Sequence, residues 1–210
     1  MYTPPAFRED DPAELVRVMR DARLATLVTV TAEGLQATPL PLFIVETEGE
    51  FGTLYGHVAR ANPQWRLAPT GEALAIFMGP DAYITPAWYT AKVETGKVVP
   101  TWNYSAVHAY GPVEFFEDRD RLLDAVSRLT SLHEAGRAVP WAVSDAPEAF
   151  VESQLKGIVG VRMPISRIEG KKKLSQNRSE QDRIGVAEGL AESERWTDRV
   201  VRQSIPIPRR

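Results

Sequence analysis

The chain has 210 residues, of which 43% are hydrophobic and 25% are charged, and its formal net charge is -3. A chain of this length and composition can bury a hydrophobic core and fold as one large domain. Its slightly acidic balance provides no overall positive field that would attract nucleic acid or anionic lipid. Because the sequence contains no cysteine, disulfides, thiolate metal sites and cysteine nucleophiles are excluded.

Two further features concern location and metal binding. The N-terminal segment MYTPPAFRED lacks the apolar core of a signal peptide, and no run of about 18 apolar residues occurs in the sequence. We therefore expect a cytoplasmic protein that does not insert into a membrane. His57, His108 and His133 are dispersed along the chain, so no metal site is predicted.

The first strand pattern lies in residues 24–45. Two runs of alternating apolar residues, LATLVTVT and LQATPLPLFIV, flank the short loop AEG, which predicts a β-hairpin. Pro39 and Pro41 have no backbone N–H, and both missing donors lie on the same side of the second run. This pattern indicates an edge strand or an opening in the barrel. Further strands are predicted at residues 53–59, 73–78, 82–89, 100–116 and 158–168, the last interrupted by Pro164. This series predicts an antiparallel sheet long enough to curl into a barrel.

Helices are predicted between and after these strands. Asn62 followed by Pro63 is typical of an N-cap and a first helical residue, and Pro69 ends this short helix. Further helices are predicted at residues 120–134, 147–156, 179–190 and 193–203. The predicted fold class is mainly β with peripheral helices (α+β). We expect a single domain in which residues 1–175 form the barrel and residues 176–210 form a helical extension packed on it.

Aromatic residues are concentrated in VPTWNYSAVHAYG, residues 99–111. Strand alternation places bulky side chains on one face, namely Trp102, Tyr104, His108 and Tyr110. It places small ones on the other face, namely Thr101, Asn103, Ser105, Val107 and Ala109. One interpretation is that the bulky face packs in the core or in a dimer interface. The alternative is that it contacts a flat ligand or a partner subunit.

Three other segments have both a structural and a functional interpretation. In GHVARANPQW, Arg60 precedes a helix start, so the segment is either an ordinary capped helix or a phosphate seat. In FMGPDAYITPAWY, a Gly-Pro turn leads to aromatic residues that form either the core or the walls of a pocket. In KKKLSQNR, the charges form either a solvated face or a set of donors around a ligand.

Together these segments resemble the PaiB family of FMN-binding proteins, which are described as negative transcriptional regulators. The segments that carry the resemblance occur in the family's order and approximate spacing: MYTPPAF, ATPLPLF, GHVARANPQW, FMGPDAYITPAWY, VPTWNYSAVHAYG and KLSQNR. The similarity extends from Met1 to about Leu190. It implies a split β-barrel related to the pyridoxamine-phosphate oxidase group. It also implies a homodimer that binds flavin mononucleotide (FMN) between its subunits.

The resemblance also implies which residues contact the cofactor. Those at the flavin phosphate are Arg60 and Asn62, with His57 and Ala59 on the strand that leads to them. Those at the isoalloxazine ring are Thr38, Pro39 and Leu40. Those that complete the pocket are Trp88, Trp102 and Asn103. Those contributed by the second subunit are Lys173, Gln176 and Arg178. No catalytic residue is assigned by the resemblance.

Three functions remain open at this point. The first is a flavin-binding regulator that does not bind DNA directly, because RAVPWAVSDA separates the two central helices by more than a helix-turn-helix allows. If it regulates transcription, we expect it to act indirectly or through residues 171–173 and the arginine-rich C-terminus. The second is an FMN-dependent oxidoreductase with His108 and Tyr110 as candidate proton donors. The third is an interaction protein that has lost its ligand.

Overall fold

The structure is a computed structural model that describes residues 1–207. Its strands are β1 (Arg8–Glu9), β2 (Ala25–Thr31), β3 (Gly34–Leu40), β4 (Leu42–Val45), β5 (Thr53–Ala59), β6 (Ala73–Ile84), β7 (Thr101–Gly111), β8 (Glu114–Phe116), β9 (Ile158–Pro164) and β10 (Arg167–Lys173). Its α-helices are α1 (Pro12–Asp21), α2 (Ala91–Thr95), α3 (Arg119–Glu134), α4 (Glu148–Leu155), α5 (Glu180–Ala191) and α6 (Trp196–Ser204). Short 3₁₀ turns lie at Pro5–Phe7, Pro63–Arg66, Pro86–Trp88 and Val143–Asp145.

The residues form two compact units, which we call the terminal unit and the central unit. The terminal unit comprises Met1–Ala22, Met78–Val107 and the chain from Glu169 onward. The central unit comprises Arg23–Phe77 and His108–Ile168. Each unit is described separately below.

In the central unit, β2 forms an antiparallel hairpin with β3 and also pairs with the first part of β6. The register joins Ala25 to Leu40 and Thr31 to Gly34. The Thr31 hydroxyl donates a hydrogen bond of 2.9 Å to the Gly34 carbonyl oxygen. Gly34 has a φ of 106°, which favours glycine in this tight turn. The predicted hairpin is confirmed, and β3 lies at the sheet edge as its proline pattern predicted.

The second sheet of the central unit has the strand order β4-β5-β9-β8. Strands β5 and β9 are antiparallel, with Thr53 opposite Pro164 at one end and Ala59 opposite Ile158 at the other. Pro164 is the last residue of β9, so the predicted interruption at this proline is confirmed. Core residues from these two strands, each at most 3% exposed, are Leu54, Val58, Val159, Val161 and Met163.

Helix α3 packs against this second sheet. Its N-cap is Asp118, whose carboxylate accepts a hydrogen bond of 2.9 Å from the Arg121 amide. The buried side of the helix carries Leu122, Ala125 and Leu129 at helical spacing. The helix predicted at residues 120–134 is therefore confirmed. The helix predicted at 147–156 is also found, as α4.

In the terminal unit, the strand order is β1-β10-β7-β6. Strand β1 pairs with β10 through Arg8 opposite Lys171 and Glu9 opposite Gly170. Helices α5 and α6 were predicted at 179–190 and 193–203, and the second of them begins three residues later than predicted, at Trp196. These helices share one core cluster with the end of β6, made of Ala82, Ile84, Tyr89, Leu174, Val186, Ala187, Leu190, Val201 and Ile205.

Two strand predictions are corrected by the structure. Strand β6 is continuous from Ala73 to Ile84, so the turn predicted at Gly79 and Pro80 is wrong. A Cβ atom added to Gly79 would overlap the Ser105 hydroxyl, so this glycine allows a close approach to β7 and does not form a turn. The run predicted at residues 100–116 is divided into β7 and β8, with Pro112 in the gap.

The helix predictions also need three corrections. The helix predicted to start at Asn62 is only a 3₁₀ turn of four residues, although Asn62 is its N-cap as predicted. Helices α1 and α2 were not predicted. For α1 the signal was present in the sequence, because Asp11 and Pro12 form a helix start and Leu15, Val18 and Met19 follow at helical spacing.

Candidate functional site

The aromatic strand β7 alternates as predicted, but its small face is the buried one. Asn103 and Val107 are each 1% exposed and Ala109 is fully buried, whereas Trp102 is 47% exposed. On the bulky face, Trp102 therefore lies outside the core, whereas Tyr104, His108 and Tyr110 are half-buried. Ser105, another residue of the small face, has its hydroxyl in the space left free by Gly79. Trp102 makes an edge contact with Tyr83, with ring centroids 5.8 Å apart.

Asn103 anchors the turn that follows β10 in the terminal unit. Its Nδ2 donates a hydrogen bond of 2.9 Å to the Ser175 hydroxyl, and both side chains are buried. Ser175 has a φ of 62°, a left-handed conformation that is uncommon for a residue with a side chain. The Arg178 amide closes the turn with a hydrogen bond of 2.9 Å to the Ser175 carbonyl oxygen. The KLSQNR segment is thus held in one conformation by a buried amide.

The lysine run at residues 171–173 is not a solvated basic face. Lys171 is only 9% exposed, and its Nζ donates a hydrogen bond of 3.1 Å to the Tyr2 carbonyl oxygen. Lys172 forms ion pairs with Glu9, at 3.3 Å, and with Glu14. These contacts arise because the run lies in strand β10, so alternate side chains point to opposite faces.

Lys173 differs from its two neighbours in its surroundings. Its Nζ donates hydrogen bonds to the Thr101 hydroxyl and, at 2.6 Å, to the Trp102 carbonyl oxygen. Burial lowers the pKa of Lys173, and the nearby charges of Lys171 and Arg178 lower that pKa further. Among the residues that the structure describes, no carboxylate pairs with Lys173. A half-buried cation of this kind favours an anionic ligand.

Arg178 and Gln176 are positioned by residues of the same unit. The Arg178 guanidinium lies over the Tyr89 ring, 4.8 Å from its centroid. Tyr89 is 2% exposed, and burial raises the pKa of its hydroxyl while the neighbouring Arg178 partly offsets this rise. The Gln176 side chain accepts a hydrogen bond of 2.7 Å from the Leu174 amide and donates one to the Lys172 carbonyl oxygen. Gln176 therefore stabilises the turn itself.

The predicted residues of the central unit include a pair in direct contact. Asn62 Nδ2 donates a hydrogen bond of 2.8 Å to the Thr38 hydroxyl, while Asn62 Oδ1 accepts one of 2.9 Å from the Gln64 amide. Pro39 beside them is exposed, whereas Leu40 is 3% exposed and belongs to the core. The structure thus brings Thr38 and Asn62 together. It places the Leu40 side chain in the interior.

Arg60 is held firmly by its own unit. Its Nε donates a hydrogen bond of 2.6 Å to the Lys156 carbonyl oxygen, and its Nη2 donates one of 3.2 Å to the Ile158 carbonyl oxygen. Its Nη1 pairs with the Glu117 carboxylate. Arg60 is therefore not the freely solvated side chain of the ordinary capped-helix interpretation. Because each terminal nitrogen carries two N–H groups, both keep a second donor that no residue in 1–207 engages.

His57 and Ala59 lie on β5, on the strand that leads to Arg60. The His57 side chain is half-buried, and this burial lowers the pKa of its imidazole. Its Nδ1 has no hydrogen-bond partner among the described residues. Ala59 is exposed, and its carbonyl oxygen accepts a hydrogen bond of 2.9 Å from the Asn62 amide.

Sequence reasoning missed some members of the polar cluster around Lys173. Thr101 and Ser175 bond to predicted site residues over separations of 72 residues, which no local pattern reveals. Trp88, in contrast, was predicted, and it packs against the core cluster of the terminal unit.

In residues 1–207, no group of three or more His, Cys, Asp or Glu side chains could hold a metal ion. No helix in that part of the chain has both the length and the apolar character needed to cross a membrane.

Comparison with known proteins identifies the family. Residues 1–167 match a family described as "Putative FMN-binding domain". The chain is 35% identical to the Protease synthase and sporulation protein PAI 2 of Bacillus subtilis, over 92% of this chain and 91% of that protein. It is 32% identical to an uncharacterized protein of Emericella nidulans, over 90% of each. The chain belongs to this FMN-binding family, which confirms the resemblance seen in the sequence.

The fold agrees with this assignment. The FAD and heme binding protein from Mycobacterium smegmatis superimposes with a TM-score of 0.57 over 79% of this chain and 73% of that one, at 15% identity. The two proteins share the antiparallel split-barrel architecture of flavin-binding proteins, as predicted. The family's cofactor is FMN.

The residues of the terminal unit fit such a cofactor. Lys173 and Arg178 suit a phosphate, and the exposed Trp102 and Tyr83 rings suit a flat ring system. Lys173, Gln176 and Arg178 all lie beyond residue 167, where the family match ends.

Proposed function

We propose that the protein is a homodimeric FMN-binding protein of the PaiB type whose flavin phosphate is held by Lys173 and Arg178. The observation that carries this proposal is the absence of a carboxylate partner for the half-buried Lys173 among the described residues. A dianionic phosphate would supply the missing negative charge. It would also accept the charge-assisted hydrogen bonds that Lys173 Nζ and the Arg178 guanidinium can donate.

The second cationic group, Arg60, has a different environment. Its guanidinium already pairs with Glu117, so a phosphate there would have to share it with a carboxylate. The helix start expected beside it is a short 3₁₀ turn, and its capping residue Asn62 already satisfies the Gln64 amide. These contacts favour Lys173, and not Arg60, as the phosphate contact.

The flavin ring requires flat apolar walls and groups that exclude water. Trp102 and Tyr83 provide such walls in the terminal unit, and both are substantially exposed, at 47% and 44%. Bound FMN supplies electron-transfer chemistry that no side chain of this protein can provide. The role of the protein's own residues is to hold the phosphate, orient the ring and shield it.

Exposed aromatic residues also support the homodimer. Trp102, Tyr83 and Met78, which is 51% exposed, all lie in the terminal unit on β6 and β7. Large apolar side chains exposed in one region commonly mark an interaction surface. A second copy of the chain that covers them would bury these side chains and the edge of a bound flavin together.

The proposed role of the protein is negative regulation of transcription that acts indirectly, through the flavin-bound state. The net charge of -3 and the engaged lysine run support an indirect role, because Lys171 is buried and Lys172 is paired with Glu9 and Glu14. An alternative is an FMN-dependent oxidoreductase. It is supported by His108 and Tyr110, whose ring centroids lie 6.3 Å apart and whose side chains can both exchange protons.

Titration of the purified protein with FMN tests the proposed function. We expect saturable binding of one FMN to each chain, with a change in flavin absorbance and fluorescence. Light scattering on the same sample should give the mass of two chains. A protein that stays monomeric and does not bind added FMN would contradict the proposal and favour an interaction protein that has lost its ligand.

The same flavin-loaded sample separates the two roles. Bleaching of the flavin absorbance by NADH or NADPH, followed by reoxidation with an electron acceptor, would favour the oxidoreductase. Tight binding to promoter DNA that weakens steeply with salt would replace the indirect mode of regulation with direct binding. We expect neither result for an indirect regulator.

A further inference from the structure

Helix α5 carries two glycines where it contacts Trp88. Gly185 and Gly189 are four residues apart, so they lie on the same face of the helix. A Cβ atom at Gly185 would overlap the Trp88 carbonyl oxygen, and one at Gly189 would overlap the Trp88 indole ring. The two glycines therefore form a seat for Trp88, with its backbone on one glycine and its ring on the other.

Backbone conformation does not explain these glycines. Neither has a positive φ, so alanine could adopt the same helical geometry. Glycine is a much poorer helix former than alanine, which makes two glycines in the interior of one helix unfavourable without a packing reason. The close approach of Trp88 provides that reason.

Helix α5 cannot easily move away from a larger side chain. Val186 and Leu190 are fully buried in the core cluster of the terminal unit. Asp182, near the start of the helix, accepts a hydrogen bond of 3.1 Å from the Ala91 amide. Because the helix is fixed at these points, a methyl group added at position 189 would displace Trp88 and leave α5 in place.

The position of Trp88 is coupled to that of Arg178. The next residue is Tyr89, whose ring lies 4.8 Å from the Arg178 guanidinium carbon. A shift of Trp88 would therefore move the aromatic surface that supports Arg178. Helix α5 lies beyond residue 167, outside the region that matches the FMN-binding family.

We propose that Gly185 and Gly189 are positioning residues of the ligand site, and that α5 belongs to this site because it seats Trp88. This inference rests on the proposed FMN function. It assigns to the C-terminal part of the chain a role in forming the cofactor pocket. The two glycines touch Trp88 and act on the ligand only through it.

The variant Gly189→Ala tests the inference through FMN affinity. We expect the dissociation constant for FMN to rise about fivefold or more, because a shift of Trp88 moves the adjacent Tyr89 ring that supports Arg178. The matched control is Glu188→Ala, an exposed position on the same helix, which should bind FMN like the original protein. The chain has five tryptophans, so the change at Trp88 is read as the difference in tryptophan fluorescence between each variant and the same variant carrying Trp88→Phe.

A second pair of variants shows whether the effect passes through Trp88. In a Trp88→Phe background the shorter ring leaves room for a methyl group, so adding Gly189→Ala should change FMN affinity less than twofold. It should also raise the melting temperature, since alanine favours the helix once the overlap is gone. This rescue remains measurable even if Gly189→Ala alone folds poorly.

The outcomes separate this inference from the proposed function. If the original protein binds FMN and Gly189→Ala binds it equally well, α5 does not position the site and the inference fails alone. The inference also fails if Gly189→Ala weakens binding equally in the original and Trp88→Phe backgrounds. If the original protein does not bind FMN, the proposed function fails and this inference fails with it.

Discussion

Replacing Lys173 with methionine is expected to weaken FMN binding about tenfold to a hundredfold, since a hydrogen bond to a charged group contributes about 1.5–3 kcal/mol. Methionine keeps the length of the side chain and removes only the charge and the donors. The Thr101 hydroxyl and Trp102 carbonyl oxygen lose their lysine partner, but no buried anion is left unpaired. The measurement is a fluorescence titration with FMN.

The matched control is Lys172→Met on the same strand. Lys172 is paired with Glu9 and Glu14, so its removal changes the net charge by the same amount and leaves Lys173 and Arg178 in place. We expect FMN affinity in this control to stay within about twofold of the original, because Glu9 and Glu14 already neutralise the Lys172 charge. Equal losses in both variants would mean that only overall charge matters, and would contradict a specific role for Lys173.

The pH dependence of FMN binding should further distinguish the Lys173→Met variant from the original protein. Lysine is charged below its pKa, and the pKa of Lys173 is lowered by burial and by Lys171 and Arg178. FMN affinity should therefore fall as pH rises through this lowered pKa, earlier than for an ordinary lysine. The phosphate is already dianionic there, because its second pKa is about 6. The Lys173→Met variant should lose this alkaline decline.

Arg60→Ala is expected to lower the free energy of unfolding by about 1–2 kcal/mol and to leave FMN affinity within about twofold of the original, because the proposed phosphate contact is Lys173. The stability loss follows from the Lys156 and Ile158 carbonyl oxygens, which lose a charged donor. A tenfold loss of FMN affinity would assign the phosphate to Arg60 and contradict the role of Lys173. Urea denaturation and FMN titration measure the two effects separately.

Glu117→Gln is the informative companion to Arg60→Ala. It removes the carboxylate that pairs with Arg60, while the hydrogen bonds from Arg60 to the two carbonyl oxygens stay. We expect FMN affinity in this variant to stay within about twofold of the original, since Arg60 has a structural role. A rise in affinity with Glu117→Gln together with a fall with Arg60→Ala would instead assign the phosphate to Arg60.

Arg60 and Lys173 differ in their partners, since Arg60 is paired with the Glu117 carboxylate and Lys173 donates only to neutral oxygen atoms. Both were predicted from short motifs, and neither motif indicates whether a carboxylate lies nearby. Glu117 is separated from Arg60 by 57 positions in the sequence, and Lys173 is separated from its acceptors by more positions than that. Whether each cation has a carboxylate partner is therefore determined only when the chain folds.

Much of the fold was determined by local sequence patterns. The hairpin of β2 and β3, the strand β5 and the helix α3 were each predicted close to their observed bounds. Their signals are alternation, a tight loop with glycine, and helical spacing after an N-cap, all of which act within a few residues. The family resemblance rests on short motifs of the same local kind.

Other features were decided only by tertiary structure. Gly79 and Pro80 indicate a turn when taken alone, but β6 continues through them because Ser105 occupies the space beside Gly79. The lysine run is typical of a solvated face, yet its position in β10 buries Lys171 and leaves Lys173 as an unpaired cation. The sequence by itself determined which residues favour strands, helices and phosphate. Which of those charges are neutralised depended on contacts across many residues, and these form only when the chain folds.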